Sequence, residues 1–317
     1  MRILVTGATG FLGSEVVPRL LEAGHRVFLL ARDPSKVSSP RGLTVIQGDI
    51  TKFNLGLKLS PRLDAVLHMA ALVSFEQRKS AESLRVNCDG TLNVGNFCID
   101  SHVPRLYHVS TAYICGDFKG VWQEGFLDMG QHFRNTYEQS KFLAEGYVRS
   151  LCAGIPGLRQ PIQVTVFRPG IIVGRASDGR ATTFEGFYKP VWAMARVMHR
   201  VESLLPRREE VEQALHLPKL KVPFTMQGDP RGTLNLVPVD WVAGKIVSLL
   251  PASPGTYHLT SPHPLLNEEV CLAVAESLGI EGPHFSLTPS WDPLSKLYNR
   301  LVRPFHPYLQ GEPVFQS

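Results

Sequence analysis

The opening stretch "RILVTGATGFLGSEVVPRLLEAG", Arg2–Gly24, decides the fold. Its first residues are a short apolar run rich in branched side chains, which suits a strand buried on both faces. From Gly13 the apolar positions recur at helical spacing until Gly24 closes the run. Between strand and helix lies "TGATGFLG", Thr6–Gly13. Gly7 and Gly10 let the backbone turn tightly and approach a pyrophosphate, whose charge lies well on the free amides of a helix N-terminus. Gly13 lets the helix pack closely on the strand. Gly7, Thr9, Gly10, Phe11, Leu12 and Gly13 are therefore the first candidate dinucleotide contacts.

Working outward, the alternation continues. "RVFLLAR", "LTVIQGDI", "AVLHMAA", "RLYHVST" and "IQVTVFRPGIIVG" read as further strands, with a helix "SLRVNCDGTLNVGNFCIDS" between "AVLHMAA" and "RLYHVST". Short apolar strands separated by helices predict an α/β, Rossmann-type, doubly wound parallel sheet. After Gly174 the texture turns polar and mixed. "TLNLVPVDWVAGKIVSLL" is expected to return to the main sheet. The expected division is a dinucleotide-binding domain over 1–174, rejoined by 232–260, and a smaller, discontinuous C-terminal substrate lid over 175–231 and 261–317.

Composition narrows the function classes. With 44% hydrophobic and 19% charged residues the chain is a folded globular protein rather than a disordered one. A net charge of +5 suits an acidic cofactor or carrier but does not point to nucleic acid. Five dispersed cysteines without a CxxC pair exclude a disulfide framework and a zinc site, and fit a reducing compartment. The eleven histidines show no metal-ligand spacing, and His68 and His108 read as core residues at strand ends. No apolar run reaches membrane-span length. With a strand beginning at the first residues, no leader segment is expected, and the expected location is cytoplasmic.

The second candidate site is "NTYEQSKFLAE", Asn135–Glu145. Tyr137 and Lys141 are four apart, so a helix places them on one face. A lysine ammonium beside a tyrosine is expected to lower the phenol pKa, making it a usable proton donor to a carbonyl oxygen. A hydroxyl residue closes "HVSTAY", where Ser110 and Thr111 compete, at the sheet edge where such folds bind ligands. At the end of the second strand, the position of an NAD-selecting carboxylate is Ala31, followed by Arg32. A guanidinium there accommodates a 2′-phosphate, so NADPH is favoured over NADH, although Asp33 is available to pair with Arg32. Pro169 is expected to end the sixth strand near the nicotinamide. Asn87 is a candidate either for holding an active-site loop or for an internal helix contact.

In its GxxGxxG spacing, followed by "GDI", "HMAA" and YxxxK, the chain resembles the extended short-chain dehydrogenase/reductases. The resemblance implies that Asp49 and Ile50 contact adenine, that Ala70 and Ala71 line the nicotinamide side, and that Lys141 holds the cofactor ribose. The family's hydroxyl stands five residues before the glycine that is here Gly116, which selects Thr111. "NTYEQSKFLAE", "VSTAY", "FRPGIIVG" and "NLVPVDWVA" are similar to the fatty acyl-CoA reductase and thioester reductase branch, over residues 1 to about 250. That branch implies NADPH-dependent reduction of an acyl thioester to aldehyde or alcohol, with any acyl carrier protein supplied in trans. The alternatives are a hydroxysteroid or flavonol-type ketone reductase, a nucleotide-sugar epimerase or dehydratase, and a non-catalytic NADP sensor. The mixed-charge stretch His199–Lys221 is either a carrier or coenzyme A dock or a solvated helical lid.

Overall fold

The computed structural model describes residues 1–37, 42–58, 61–153, 161–202, 220–288 and 292–316. Most of the mixed-charge stretch, 203–219, lies outside the described residues, and its expected role with it.

The central layer is a seven-stranded sheet. Its strands are β1 (Arg2–Thr6), β2 (Arg26–Ala31), β3 (Leu43–Gln47), β4 (Ala65–His68), β5 (Arg105–Val109), β7 (Gln163–Pro169) and β12 (Thr256–Leu259). Spatially they run β12-β7-β5-β4-β1-β2-β3, and every pairing is parallel. The order reverses direction between β1 and β4, and a doubly wound sheet opens a ligand crevice at that switch point.

Period-two alternation sends the two sides of each strand into different cores. Ile3, Val5, Leu29, Leu67, Tyr107 and Phe167 pack with Val16, Val17 and Leu20 of α1 (Phe11–Glu22), and with Val242, Ala243 and Ile246 of a later helix, Val239–Leu249. On the other face Leu4, Phe28, Val66, Leu106 and Val164 meet Val94 and Phe97 of α3 (Gly90–Asp100) and Val148 of α4 (Thr136–Ser150). Each fully buried aliphatic or aromatic side chain contributes about 1.5–3 kcal/mol.

The helix expected before β5 is present over residues 80–100 and carries a π turn. A short α2 (Ser80–Leu84) passes through a π turn at Arg85–Asp89 before α3 begins. The sixth strand ends at Pro169, as expected. After Pro169, which cannot continue the ladder, β8 (Ile171–Val173) pairs with β11 (Leu236–Pro238) in a separate two-stranded sheet. The "NLVP" segment therefore does not enter the main sheet. The strand that does is β12, which the sequence reading missed because "TYHL" is short and half polar.

Clustering by proximity divides the chain into a larger unit, Met1–Thr183 with Leu236–Pro262 and Pro313–Ser317, and a smaller unit, Phe184–Asn235 with His263–Glu312. One correction concerns the tail. The expected lid ran to residue 317, but β15 (Val314–Phe315) belongs with the larger unit, where it pairs with β6 (Val121–Trp122). In the smaller unit α5 (Tyr188–Glu202) precedes β9 (Leu220–Gln227), which pairs with β14 (Ile280–Ser286). Asn299, on the helix Pro293–Leu301, clamps β9 through Gln227 N and Thr225 O at 2.9 and 2.8 Å.

Among the described residues no helix is long and apolar enough to cross a membrane, and no cluster of His, Cys, Asp or Glu is placed to hold a metal ion. Cys98, Cys115 and Cys271 are buried hydrophobes as expected, whereas Cys152 is exposed.

Candidate active site

Gly7 follows β1 and Ala70 follows β4, so both flank the switch point. Gly7 has φ +73°, and a Cβ there would lie 2.5 Å from the Ala70 nitrogen. At Gly13 a Cβ would lie 2.3 Å from the Gly7 carbonyl oxygen. The first turn of α1 has no side-chain cap, which leaves its amides open toward the loop. These features make a cradle that fits a pyrophosphate. Thr9 and Gly10 are exposed on it, Phe11 and Leu12 are half-buried, and Gly13 is buried.

A hydrogen-bonded chain fastens the back of the cradle. Thr6 Oγ1 accepts from Ala70 N at 3.2 Å and lies 2.7 Å from His68 Nδ1, while His68 Nε2 lies 3.0 Å from Thr91 Oγ1. The Thr91 hydroxyl donates to Asn87 O at 2.6 Å, so it can only accept from His68, which therefore carries its proton on Nε2. Gly7→Ala is expected to cost at least about 2 kcal/mol of stability, since strain at positive φ adds to backbone overlap. It should also abolish binding of a dinucleotide at this loop, and thermal melting with a fluorescence titration of nicotinamide dinucleotide would check both.

Ala31 is buried at the end of β2, and Arg32 is exposed beyond it. Asp33 Oδ1 accepts from Ser35 N and Ser35 Oγ at 3.2 and 2.6 Å, capping the next turn. Asp49 Oδ1 accepts from Thr51 N and Oγ1, both at 2.9 Å. Burial alone would raise its pKa, but these bonds and the Arg32 and Lys52 charges hold the carboxyl below its usual value. Ile50 is buried against Gly90, Ala70 is half-buried and Ala71 is exposed. Pro169 is buried, paired with Leu259.

Asn135 caps α4, its Oδ1 accepting from Glu138 N at 3.0 Å while Glu138 Oε2 accepts from Arg134 N at 2.9 Å. This start places Tyr137 in the first turn and Lys141 one turn later. The Thr111 side chain shares a hydrogen bond with Tyr137 and accepts from Tyr113 N at 3.3 Å. Lys141 is buried and donates from Nζ to Val109 O at 2.6 Å, and its pKa is lowered to about 8, mainly by burial. Thr111, Tyr137 and Lys141 thus stand together beyond β5, while the Ser110 hydroxyl is buried without a hydrogen-bond partner among the described residues.

One expectation is overturned. The Tyr137 pKa is raised, chiefly by burial and then by the Glu138 charge, with only the Thr111 bond acting to lower it. The Lys141 ammonium is directed at the Val109 carbonyl, so the chain by itself keeps the phenol protonated.

Asn87 answers its open question by doing both jobs. Its Oδ1 accepts from Leu72 N at 2.8 Å, and its Nδ2 donates to Leu72 O at 3.1 Å and to Ser140 Oγ at 2.9 Å. The π turn brings it to the loop after β4 and to α4 together.

Sequence reasoning missed a buried ion network. Arg168, at the end of β7, reaches Glu145 of α4 from Nη2 at 2.7 Å and from Nε at 3.2 Å. Its Nη1 donates to Glu124 O at 3.2 Å and lies 3.3 Å from His258 Nε2, and Nη2 also donates to Phe126 O. Both residues stand inside quoted motifs, "FLAE" and "FRPG". Only their tertiary pairing reveals the role.

The model of the male sterility protein family matches residues 38–246. The chain belongs to this family. Its resemblance to the extended short-chain dehydrogenase/reductases and to the acyl-CoA and thioester reductase branch is thereby borne out. A 3-beta-hydroxysteroid dehydrogenase of Mycolicibacterium neoaurum is 30% identical over 199 residues, covering 61% of this chain and 52% of that protein. Fatty acyl-CoA reductase 1 of Arabidopsis thaliana is 30% identical over 172 residues, covering 41% of this chain and 34% of that protein. Among solved structures, the terminal R domain of the myxalamid PKS-NRPS pathway superposes with a TM-score of 0.72 at 23% identity, covering 100% of this chain and 82% of that one. The chain spans about half the length, or less, of these curated relatives.

Proposed function

We propose that this male sterility family protein is an NADPH-dependent reductase of an acyl thioester, bound to coenzyme A or to a carrier protein in trans, giving an aldehyde or an alcohol. One observation carries the proposal. A protonated Tyr137 is hydrogen-bonded to Thr111 and shares a helix face with a buried Lys141, beyond the carboxyl ends of β4 and β5. Gly7, Thr9, Gly10, Phe11, Leu12 and Gly13 would hold the pyrophosphate, with Asp49, Ile50, Ala70, Ala71 and Pro169 beside the rest of the dinucleotide. Arg32, exposed at the end of β2, would take the 2′-phosphate. The nicotinamide cofactor, when bound, supplies hydride to the substrate carbonyl carbon.

The chain's own residues manage the oxygen. Thr111 Oγ1 and Tyr137 Oη hydrogen-bond the developing oxyanion. Tyr137 then gives it the phenolic proton, and collapse of the resulting hemithioacetal releases aldehyde and free thiol. Tyr137 carries its proton at neutral pH, so the phenol stands ready as the acid of the reduction. Lys141 keeps a positive charge near the oxygen and orients the cofactor ribose.

A second reading, reduction of a ketone of the hydroxysteroid type, is favoured by the bacterial dehydrogenase relative. The deciding experiment follows NADPH and NADH oxidation with acyl-CoA and carrier-bound thioesters beside matched aldehydes and ketones. Thioester-dependent oxidation releasing free thiol supports the proposal. Turnover of ketones alone would replace it with the second reading.

A further inference from the structure

The last strand has more contacts than a loose tail needs. Val314 N donates to Gly120 O at 2.9 Å and Gln316 N to Trp122 O at 3.0 Å. Phe315 is buried, with its ring 5.9 Å from Tyr113 and 5.8 Å from His258, edge-on to each. Tyr113 is the residue whose amide donates to Thr111 Oγ1. His258 Nδ1 lies 2.6 Å from the Gln316 carbonyl, which can only accept, so the ring proton is on Nδ1. His258 Nε2 is then an acceptor, facing Arg168 Nη1 at 3.3 Å, and Arg168 holds Glu145 on α4. The His258 amide adds a bond to Glu124 Oε1 at 2.7 Å.

We infer that β15 is a working part of the active site, with Phe315 and His258 as positioning residues. Phe315 seats the turn Ala112–Cys115 that begins at Thr111. His258 ties the Gln316 carbonyl to Arg168 and through Glu145 to the helix carrying Tyr137 and Lys141. One strand thus braces both halves of the proton-transfer set, and neither positioning residue touches substrate or cofactor. The inference rests on the catalytic roles proposed above.

The test uses the full chain with Phe315→Ala, Phe315→Leu and His258→Asn, and Tyr137→Phe as control. The readouts are kcat at saturating substrate and NADPH Kd by fluorescence. The expected result for Phe315→Ala is a kcat about 10–100-fold lower, the scale of a misplaced reacting group, with Kd unchanged within about twofold. Phe315→Leu should restore most of the loss. His258→Asn keeps the donor to Gln316 but loses the acceptor for Arg168, and should lower kcat at least about fivefold with Kd unchanged. If Phe315→Ala does not fold, His258→Asn decides the matter. A normal kcat, or a kcat that falls only in step with Kd and melting temperature, overturns the inference. An active Tyr137→Phe control would remove the catalytic roles themselves, whereas a dead control beside a fully active Phe315→Ala removes only the inference.

Discussion

Tyr137→Phe is expected to lower turnover by about 10²–10⁴-fold, the usual contribution of one positioned proton donor. Affinity for the nicotinamide cofactor should stay within a few-fold, because the cradle proposed for it is built from the loop after β1 and the ends of β2 and β4. The substitution removes one hydroxyl and keeps the ring, which packs 5.9 Å from Phe75, so the fold should persist. The loss is expected on kcat because Thr111 would remain at the oxyanion without the phenolic proton donor proposed for Tyr137. Single-turnover NADPH oxidation beside cofactor titration would separate the two effects. A kcat near the unmodified value would remove Tyr137 from the chemistry.

Acid should unfold the larger unit steeply, starting well above the carboxylate range. Burial lowers the His258 pKa to about 4 and the His68 pKa to about 3, and drives that of His108 well below its ordinary value. An unfolded chain returns each histidine to about 6.5. Below that pH the unfolded state binds protons that the folded state refuses, so stability is full above pH 6.5 and is lost as pH falls. Each histidine contributes a slope of about 1.4 kcal/mol per pH unit, and three together about 4 kcal/mol per unit until His258 begins to titrate near pH 4. Against a typical stability of about 5–15 kcal/mol, a drop from pH 6.5 to pH 5 is enough to matter. Denaturant midpoints at pH 7, 6 and 5 would measure it, and His258→Asn should reduce the slope by about a third. A midpoint unchanged over that range would contradict the assignment of neutral, buried histidines.

The glycine-rich opening was legible because its constraints are local. Gly7 is required by a positive φ and Gly13 by a close approach to the neighbouring turn. Tyr137 and Lys141 were legible because a four-residue spacing maps directly onto one helix face. The pKa of Tyr137 was not, since adjacency in sequence does not say where an ammonium points. Lys141 turns to Val109 O, and burial with Glu138 sets the phenol instead. The strand "TYHL" was missed for a related reason, because its partner β7 lies far away in the chain.

The sequence by itself determined the doubly wound parallel sheet, the glycine-rich loop and the placement of Tyr137 and Lys141 on one helix face, because these follow from periodicity, glycine geometry and spacing within one turn. Only the tertiary structure decided that Asn87 joins the loop after β4 to α4, that Arg168 and Glu145 form a buried pair, and that the last strand returns to brace the Thr111 turn. Those contacts bring together residues from 15 to about 200 positions apart. They depend on which surfaces the packed sheet leaves for long polar side chains to satisfy, a condition that exists only once the chain has folded.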